Sequence, residues 1–218
     1  MSVNGPILHE WQYVQRGTRD IVVLPDGCRD LIIRIPPDGK PALLYPELDD
    51  RAVQVCLAPG ARLFGFRLRP GARFPTALLR QLRHEFTQHL DDDRMRHLAR
   101  DAIHAETDLG DELLGAIQST SSVDAAARRL GVSVRTLHRH LLHVTDRPPS
   151  FWFDLARARR ALAALASEAG LAEIAADAGY ADQPHMTRSF RYRFGATPAR
   201  FRADARLMRL AGHSGFAG

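Results

Sequence analysis

Apolar positions in the first third of the chain cluster in short, β-rich runs at 21–24, 31–35, 42–45, 53–57 and 63–68. Turn residues separate them: Pro25-Asp-Gly27, Pro36-Pro-Asp-Gly39, Ala58-Pro-Gly60 and Pro70-Gly71. Proline presets φ and glycine tolerates positive φ, so these clusters mark tight reversals between strands. Residues 7–70 are thus predicted as a small antiparallel barrel or half-barrel. After Pro75 the pattern turns helical, with Leu78, Leu82 and Phe86 on one face over 77–86. Residues 91–108 are charged and carry Met95, Leu98 and Ile103; they read as a second helix or a linker. A domain boundary is expected near Thr107-Asp-Leu-Gly110.

From Asp111 the pattern is helical throughout. A short helix over 112–117 comes first. Ser121-Ser-Val-Asp124 offers an N-cap with an acid three residues on, so a scaffold helix over 123–130 follows. Gly131-Val-Ser133 is the turn, and Ser133 caps the next helix, 134–144. Val134, Leu137, Leu141 and Val144 are expected to be its buried stripe, leaving Arg135, His138, Arg139 and Leu142 to face away. Pro148-Pro149 is expected to stop it. A connecting helix over 151–166 carries Trp152, Leu155, Leu162 and Leu165 on its apolar side. The cycle repeats with a scaffold helix at 171–178, the turn and cap Gly179-Tyr-Ala-Asp182, and a helix at 183–194 burying Met186, Phe190 and Phe194. Pro198 opens a last helix to 206.

The repetition is itself informative. Ala127, Gly131 and Leu137 have counterparts in Ala175, Gly179 and Met186, with one extra residue in the second turn. An offset of 49 then superposes Leu137 on Met186, Arg139 on Arg188, Leu141 on Phe190, Pro149 on Pro198 and Trp152 on Phe201. Alanine lets two helices cross closely, glycine takes the left-handed backbone of the turn, and the apolar residue anchors the second helix. The fold class is therefore α+β. An N-terminal β-rich domain with a helical linker, residues 1–108, precedes an all-α domain, residues 109–218, whose two helix-turn-helix units are joined by a connecting helix.

Charge sharpens this division. Residues 1–110 carry 15 Lys and Arg against 15 Asp and Glu, and residues 111–218 carry 15 against 10. The whole excess lies in the half with the repeat, which fits a polyanionic partner. Every basic residue except Lys40 is arginine. Cys28 and Cys56 make neither a disulfide framework nor a cysteine-only zinc site, and they fit a reducing cytoplasm. The start, Met1-Ser-Val-Asn-Gly-Pro6, does not read as a secretory signal, and no run of apolar residues reaches membrane-spanning length. His138 and His140 point to different helix faces, and His9 is the sole histidine of residues 1–83, so no metal or other cofactor is expected. Cys28 is expected to be a buried structural residue, with Asp26 and Asp30 in turn and surface roles. Arg157, Arg159 and Arg160 read as phosphate contacts or a solvated helix face. Trp152 reads as core and Asp91-Asp-Asp93 as a solvated linker run.

The segment Ile174-Ala-Ala-Asp-Ala-Gly-Tyr-Ala-Asp-Gln-Pro-His-Met-Thr-Arg-Ser-Phe-Arg-Tyr-Arg-Phe-Gly-Ala-Thr-Pro-Ala-Arg-Phe201 resembles the signature of the AraC/XylS family of bacterial transcription regulators. The resemblance covers about residues 111–206; Asp146 departs from it, standing where the family usually has glycine. It implies two reading helices entering adjacent major grooves of double-stranded DNA, roughly 34 Å apart. The matching positions for base contact are Arg135, His138 and Arg139 in the first unit and Gln183, His185 and Arg188 in the second. Arginine can grip guanine O6 and N7, and glutamine can grip adenine. The segments Leu24-Pro-Asp-Gly-Cys-Arg-Asp-Leu31 and Phe64-Gly-Phe-Arg-Leu-Arg-Pro-Gly-Ala72 are similar to a short sensor-like region in a subset of these regulators. A small-molecule effector, RNA polymerase and a second copy of the chain are further candidate partners, with no membrane. No nucleophile–base pair or phosphate loop stands out in residues 1–110, so no enzyme activity is expected. The alternative is an enzyme or a redox or alkylation sensor fused to a DNA-binding tail.

Overall fold

The structure, a computed structural model, describes residues 5–18, 20–37, 39–72, 74, 76–86, 91–103, 107–211 and 216, without the side chains of residues 78, 107–109 and 211. The chain start at Met1 to Asn4, residues 38 and 75 of the turn and breaker segments, and the side chain of Leu78 lie outside these described residues.

Strands β1 (Ile7–Val14), β6 (Arg62–Leu68), β3 (Asp30–Ile35) and β4 (Ala42–Leu44) form an antiparallel sheet in that order, while β2 (Ile21–Val23) pairs with β5 (Val53–Val55) in a separate ribbon. Leu31, Ile33 and Ile35 alternate on β3 with the two-residue period of a strand and bury one face, joined by Phe66 and Leu68 of β6. Helices α1 (Thr76–Glu85) and α2 (Asp92–Ala102) cover that face with Leu79, Leu82, Met95 and Ala99. The triplet 91–93 is not a linker run: Asp91 caps α2, and Asp92 and Asp93 form its first turn. Asp91 caps the helix by accepting from Arg94 N at 2.8 Å, and Asp92 pairs with Arg62 of β6. On β1, Trp11 sits opposite Gly65, where a Cβ would fall 2.0 Å from the indole. Glycine is what admits the ring, whose Nε1 donates to Asp30 at 2.8 Å.

Asp26 and Asp30 are not surface residues. Both hold the guanidinium of Arg67, and all three side chains are less than a fifth exposed. Asp26 also accepts from Cys28 N at 2.9 Å, an Asx turn of the kind expected. Burial raises the Asp30 carboxyl to about 6 against the Trp11 hydrogen bond. Burial likewise pushes the Cys28 thiol up to about 12, so at neutral pH it is a thiol and not the thiolate that a reactive sensor needs.

The second half is helical: α3 (Thr107–Gln118), α4 (Val123–Arg129), α5 (Val134–Thr145), α6 (Pro149–Ala164), α7 (Leu171–Asp177), α8 (Gln183–Phe194), α9 (Pro198–Ala203) and α10 (Ala205–Ala211). Two cores divide it. Leu113, Ile117, Ala127, Leu137, Leu141 and Trp152 belong to the first; Leu162, Ile174, Met186, Phe190, Phe194 and Phe201 to the second. Helix α6 contributes its first half to one core and its second half to the other. It is consequently buried nearly all round, and Arg159 lies inside at 4% exposure, not on a solvated face. Burial lowers the Arg159 guanidinium from its ordinary value.

Several boundaries differ from expectation: α3 starts at Thr107 and not at 112, and α6 ends at Ala164 and not at 166. Ser122, not Ser121, caps α4. Pro149 does not merely stop α5; it opens α6 at a first-turn position, where its missing N–H has no partner to lose. The last helix breaks at Asp204, whose Oδ1 accepts from Arg206 N at 2.8 Å and so starts α10.

Candidate nucleic-acid interface

Each helix-turn-helix is closed by the same backbone device. In the first unit Gly131 N donates to Arg128 O at 3.1 Å and Val132 N to Ala127 O at 3.0 Å. In the second Gly179 N donates to Ala176 O at 2.9 Å and Tyr180 N to Ala175 O at 2.8 Å. Both are Schellman closures, which need a residue in the left-handed region; Gly131 has φ 66° and Gly179 has φ 86°. The alanines of the repeat are therefore the third residues from the helix ends, and each is buried where the next helix crosses.

The following helices start on side-chain caps. Ser133 accepts from Thr136 N at 3.1 Å and opens α5; Asp182 accepts from His185 N at 2.6 Å and opens α8. Leu137 and Leu141 of α5, and Met186, Phe190 and Phe194 of α8, anchor the helices inward. Val134, expected in the buried stripe, is 42% exposed instead. It occupies the first turn of α5, where the apolar stripe has run past the edge of the core. Outward, Arg135, His138, Arg139, Gln183 and Arg188 are exposed and His185 is half-buried. Arg135, His138 and Arg139 share one shallow concavity on α5 with exposed Leu142. On α8, His185 and Arg188 line a cleft that continues over Arg157 and Ser150 of α6, so of the three arginines read on that helix Arg157 lies beside the expected contact residues.

The His185 ring stands edge-on to Tyr180, centroids 5.2 Å apart, and its Nδ1 faces Ala181 N at 3.4 Å. An Nδ1 that accepts leaves Nε2 as the donor nitrogen of the ring. The helices end differently. Gly195 closes α8 with φ 71°, and its N donates to Arg191 O at 3.2 Å. At the matching position Asp146 closes α5 with φ 59°, the only non-glycine residue of positive φ among the described residues. That conformation costs a β-carbon about 1–2 kcal/mol, least for Asp and Asn. The Asp146 carboxylate is held 3.0 Å from Arg29 of the N-terminal half. Sequence reasoning noted the departure from glycine but had no partner to assign it. Among the described residues no three His, Cys, Asp or Glu side chains gather as a metal site, and no helix is long and apolar enough to cross a membrane.

The arrangement defines a double helix-turn-helix with a basic, outward-facing helix in each unit. Residues 126–204 match the family described as "Helix-turn-helix domain". They are an AraC-type helix-turn-helix domain. The chain is 36% identical over 93 residues, 43% of its length, to the HTH-type transcriptional regulator RipA of Corynebacterium glutamicum, and the match spans 28% of that protein. Among solved structures it is similar to a transcriptional regulator with an AraC-type DNA-binding domain from Chromobacterium violaceum, at 28% identity over 44% of this chain and 88% of that one, TM-score 0.38. It is also similar to the DNA-binding domain of the global transcriptional factor AdpA in complex with a target DNA, at 26% identity over 47% and 94% of the two chains, TM-score 0.40.

Proposed function

We infer that the chain is a sequence-specific DNA-binding transcription regulator that lays α5 and α8 in adjacent major grooves. One observation carries the reading. Two units with the same Schellman turn and the same helix start present Arg135, His138 and Arg139, and Gln183, His185 and Arg188, outward from anchored helices. Arg139 and Arg188 hold matching places two residues beyond the buried anchors Leu137 and Met186. Double-stranded DNA is the partner this reading names. The N-terminal half, taken as residues 1–108, is the effector or dimerisation domain; its division from 109–218 falls in the first turn of α3. A small-molecule effector, RNA polymerase and a second copy of the chain are the further partners such a role would use.

The test is selection of bound sequences from random DNA by the purified full chain. Two short preferred blocks about ten base pairs apart, centre to centre, are the expected outcome. Recovery of unenriched DNA, or of one block only, overturns the reading.

A further inference from the structure

The two helix-turn-helix units share α6, and the N-terminal half ties them together again. Two of its segments each have one end in either unit. In the first, residues 24–29, Leu24 is buried in the second core. Gly27 then crosses α6 so closely that a Cβ would meet Trp152 at 2.8 Å and Leu155 at 3.1 Å. Arg29 ends the crossing at the tip of α5, with Nη2 3.3 Å from Thr145 O and 3.0 Å from Asp146 Oδ2. The second segment, residues 48–52, runs the other way. Leu48 is buried in the first core, and its carbonyl accepts from Arg147 just beyond α5. Asp50 accepts from Tyr192 OH at 2.6 Å, the Arg51 guanidinium lies 4.3 Å from the Tyr192 ring centroid, and Ala52 N donates to Arg193 O at 2.6 Å, all near the end of α8.

We propose that these two straps set the distance and angle between the reading helices, which makes Arg29, Asp50, Asp146 and Tyr192 positioning residues that select the spacing between the two halves of the DNA site. The proposal rests on the regulator reading above. Its physical basis is a count of hinges. Two bodies joined by one helix can bend about its middle; two further straps, each anchored in both bodies, restrain that bending. Both straps attach where the reading helices end. The N-terminal turns carrying Arg135 and Gln183, the part of such a helix that meets base edges, stay open. A base pair added between the half-sites moves the second groove by about 3.4 Å and turns it by about 35°, a change that rigidly held readers cannot follow. The asymmetry at the helix ends has the same cause: Asp146 takes the left-handed position that Gly195 fills in the second unit, and its carboxylate is what Arg29 holds.

The experiment compares the full-length chain with a variant combining Asp146→Asn and Tyr192→Phe. Asparagine tolerates the left-handed backbone but loses the ion pair, and phenylalanine keeps the ring while losing the hydroxyl. Circular dichroism and melting establish that the variant folds; the single substitutions replace it if it does not. Binding is measured on sites with the spacer one base pair shorter, native, and one or two longer. The wild type should lose about tenfold or more off the native spacing, the scale of one mismatched base pair. The variant should lose much less, with its base preference inside each half-site unchanged. A folded variant with the wild-type spacing penalty overturns the proposal. A second readout needs no DNA: the distance distribution between labels on azide-bearing residues placed at His143 and Arg191, narrow in the wild type and broader in the variant. An equally narrow distribution overturns the straps alone, whereas failure of the wild type to select any DNA overturns the regulator reading.

Discussion

The two helix-turn-helix units agree at the turn between scaffold and reading helix and differ at the end of the reading helix. Both close the scaffold helix with the same pair of hydrogen bonds, start the reading helix on an oxygen cap, and open the next helix on a proline. Trp152 and Phe201 fill matching places and are equally buried. At the end of the reading helix they part. The second unit uses glycine, the cheap solution for a left-handed residue, and the first uses Asp146 tied to Arg29. A duplicated motif thus keeps what its own geometry demands and varies at its contacts with the rest of the chain. The comparison also separates stability from reading, because the matched residues are inward in one set and outward in the other.

The strongest way to break this equivalence is in the cores. Trp152→Ala and Phe201→Ala should each destabilise the protein by about 3–5 kcal/mol. Trp152 should cost more, because its Nε1 also donates to Thr145 Oγ1 at 2.9 Å and its ring packs edge-on to Phe216. Urea unfolding measures both, and a larger loss for Phe201→Ala would mean that the extra contacts of Trp152 contribute nothing.

Salt probes both outward faces together. With roughly six phosphate contacts, affinity for the selected site should fall about a thousandfold between 50 and 200 mM salt. A flat response in a titration series would show that the arginine excess of the second half is not a DNA footprint.

Single arginines resolve the two units. Arg139→Ala and Arg188→Ala should each cost about 1–3 kcal/mol of binding where the side chain is bidentate to guanine. A base reader relaxes preference at one base pair of its own half-site; a phosphate gripper weakens all sequences alike and lowers the salt slope by about one. A panel of single-base site mutants distinguishes these. Two variants that perturb the same base pair would end the two-groove arrangement.

The turn glycines should give the smallest and most equal effects. A Cβ at Gly131 or Gly179 would meet no neighbouring atom within 4 Å, so only the backbone objects. Alanine at either should cost about 1 kcal/mol, the same within error in thermal melts. A marked inequality would show that the two turns are not energetically equivalent.

Much of this was legible in local pattern. The caps Ser133 and Asp182, the glycines of the turns and the inward anchors Leu137, Met186 and Phe190 were all read from residues within a few positions of one another. The strand runs were found too, although β1 was not singled out. Most of its side chains remain exposed, so it lacks the alternation that marks a half-buried strand. The burial of Arg159 leaves no mark in the sequence, because periodicity shows which face of a helix is apolar, not whether a helix is enclosed on every side.

Sequence by itself determined the duplicated motif, its turn geometry, the basic outward helices and the division into a β-rich half and a helical half, because each depends on short-range steric and hydrogen-bonding rules. Tertiary structure alone decided that Val134 is exposed, that Leu24 and Leu48 complete cores of the other half, and that Arg29 meets Asp146 across 117 residues. Such pairings leave no periodic trace along the chain. They follow from how the N-terminal segments lie across α6, where burying apolar side chains and pairing buried charge left one arrangement that satisfied both.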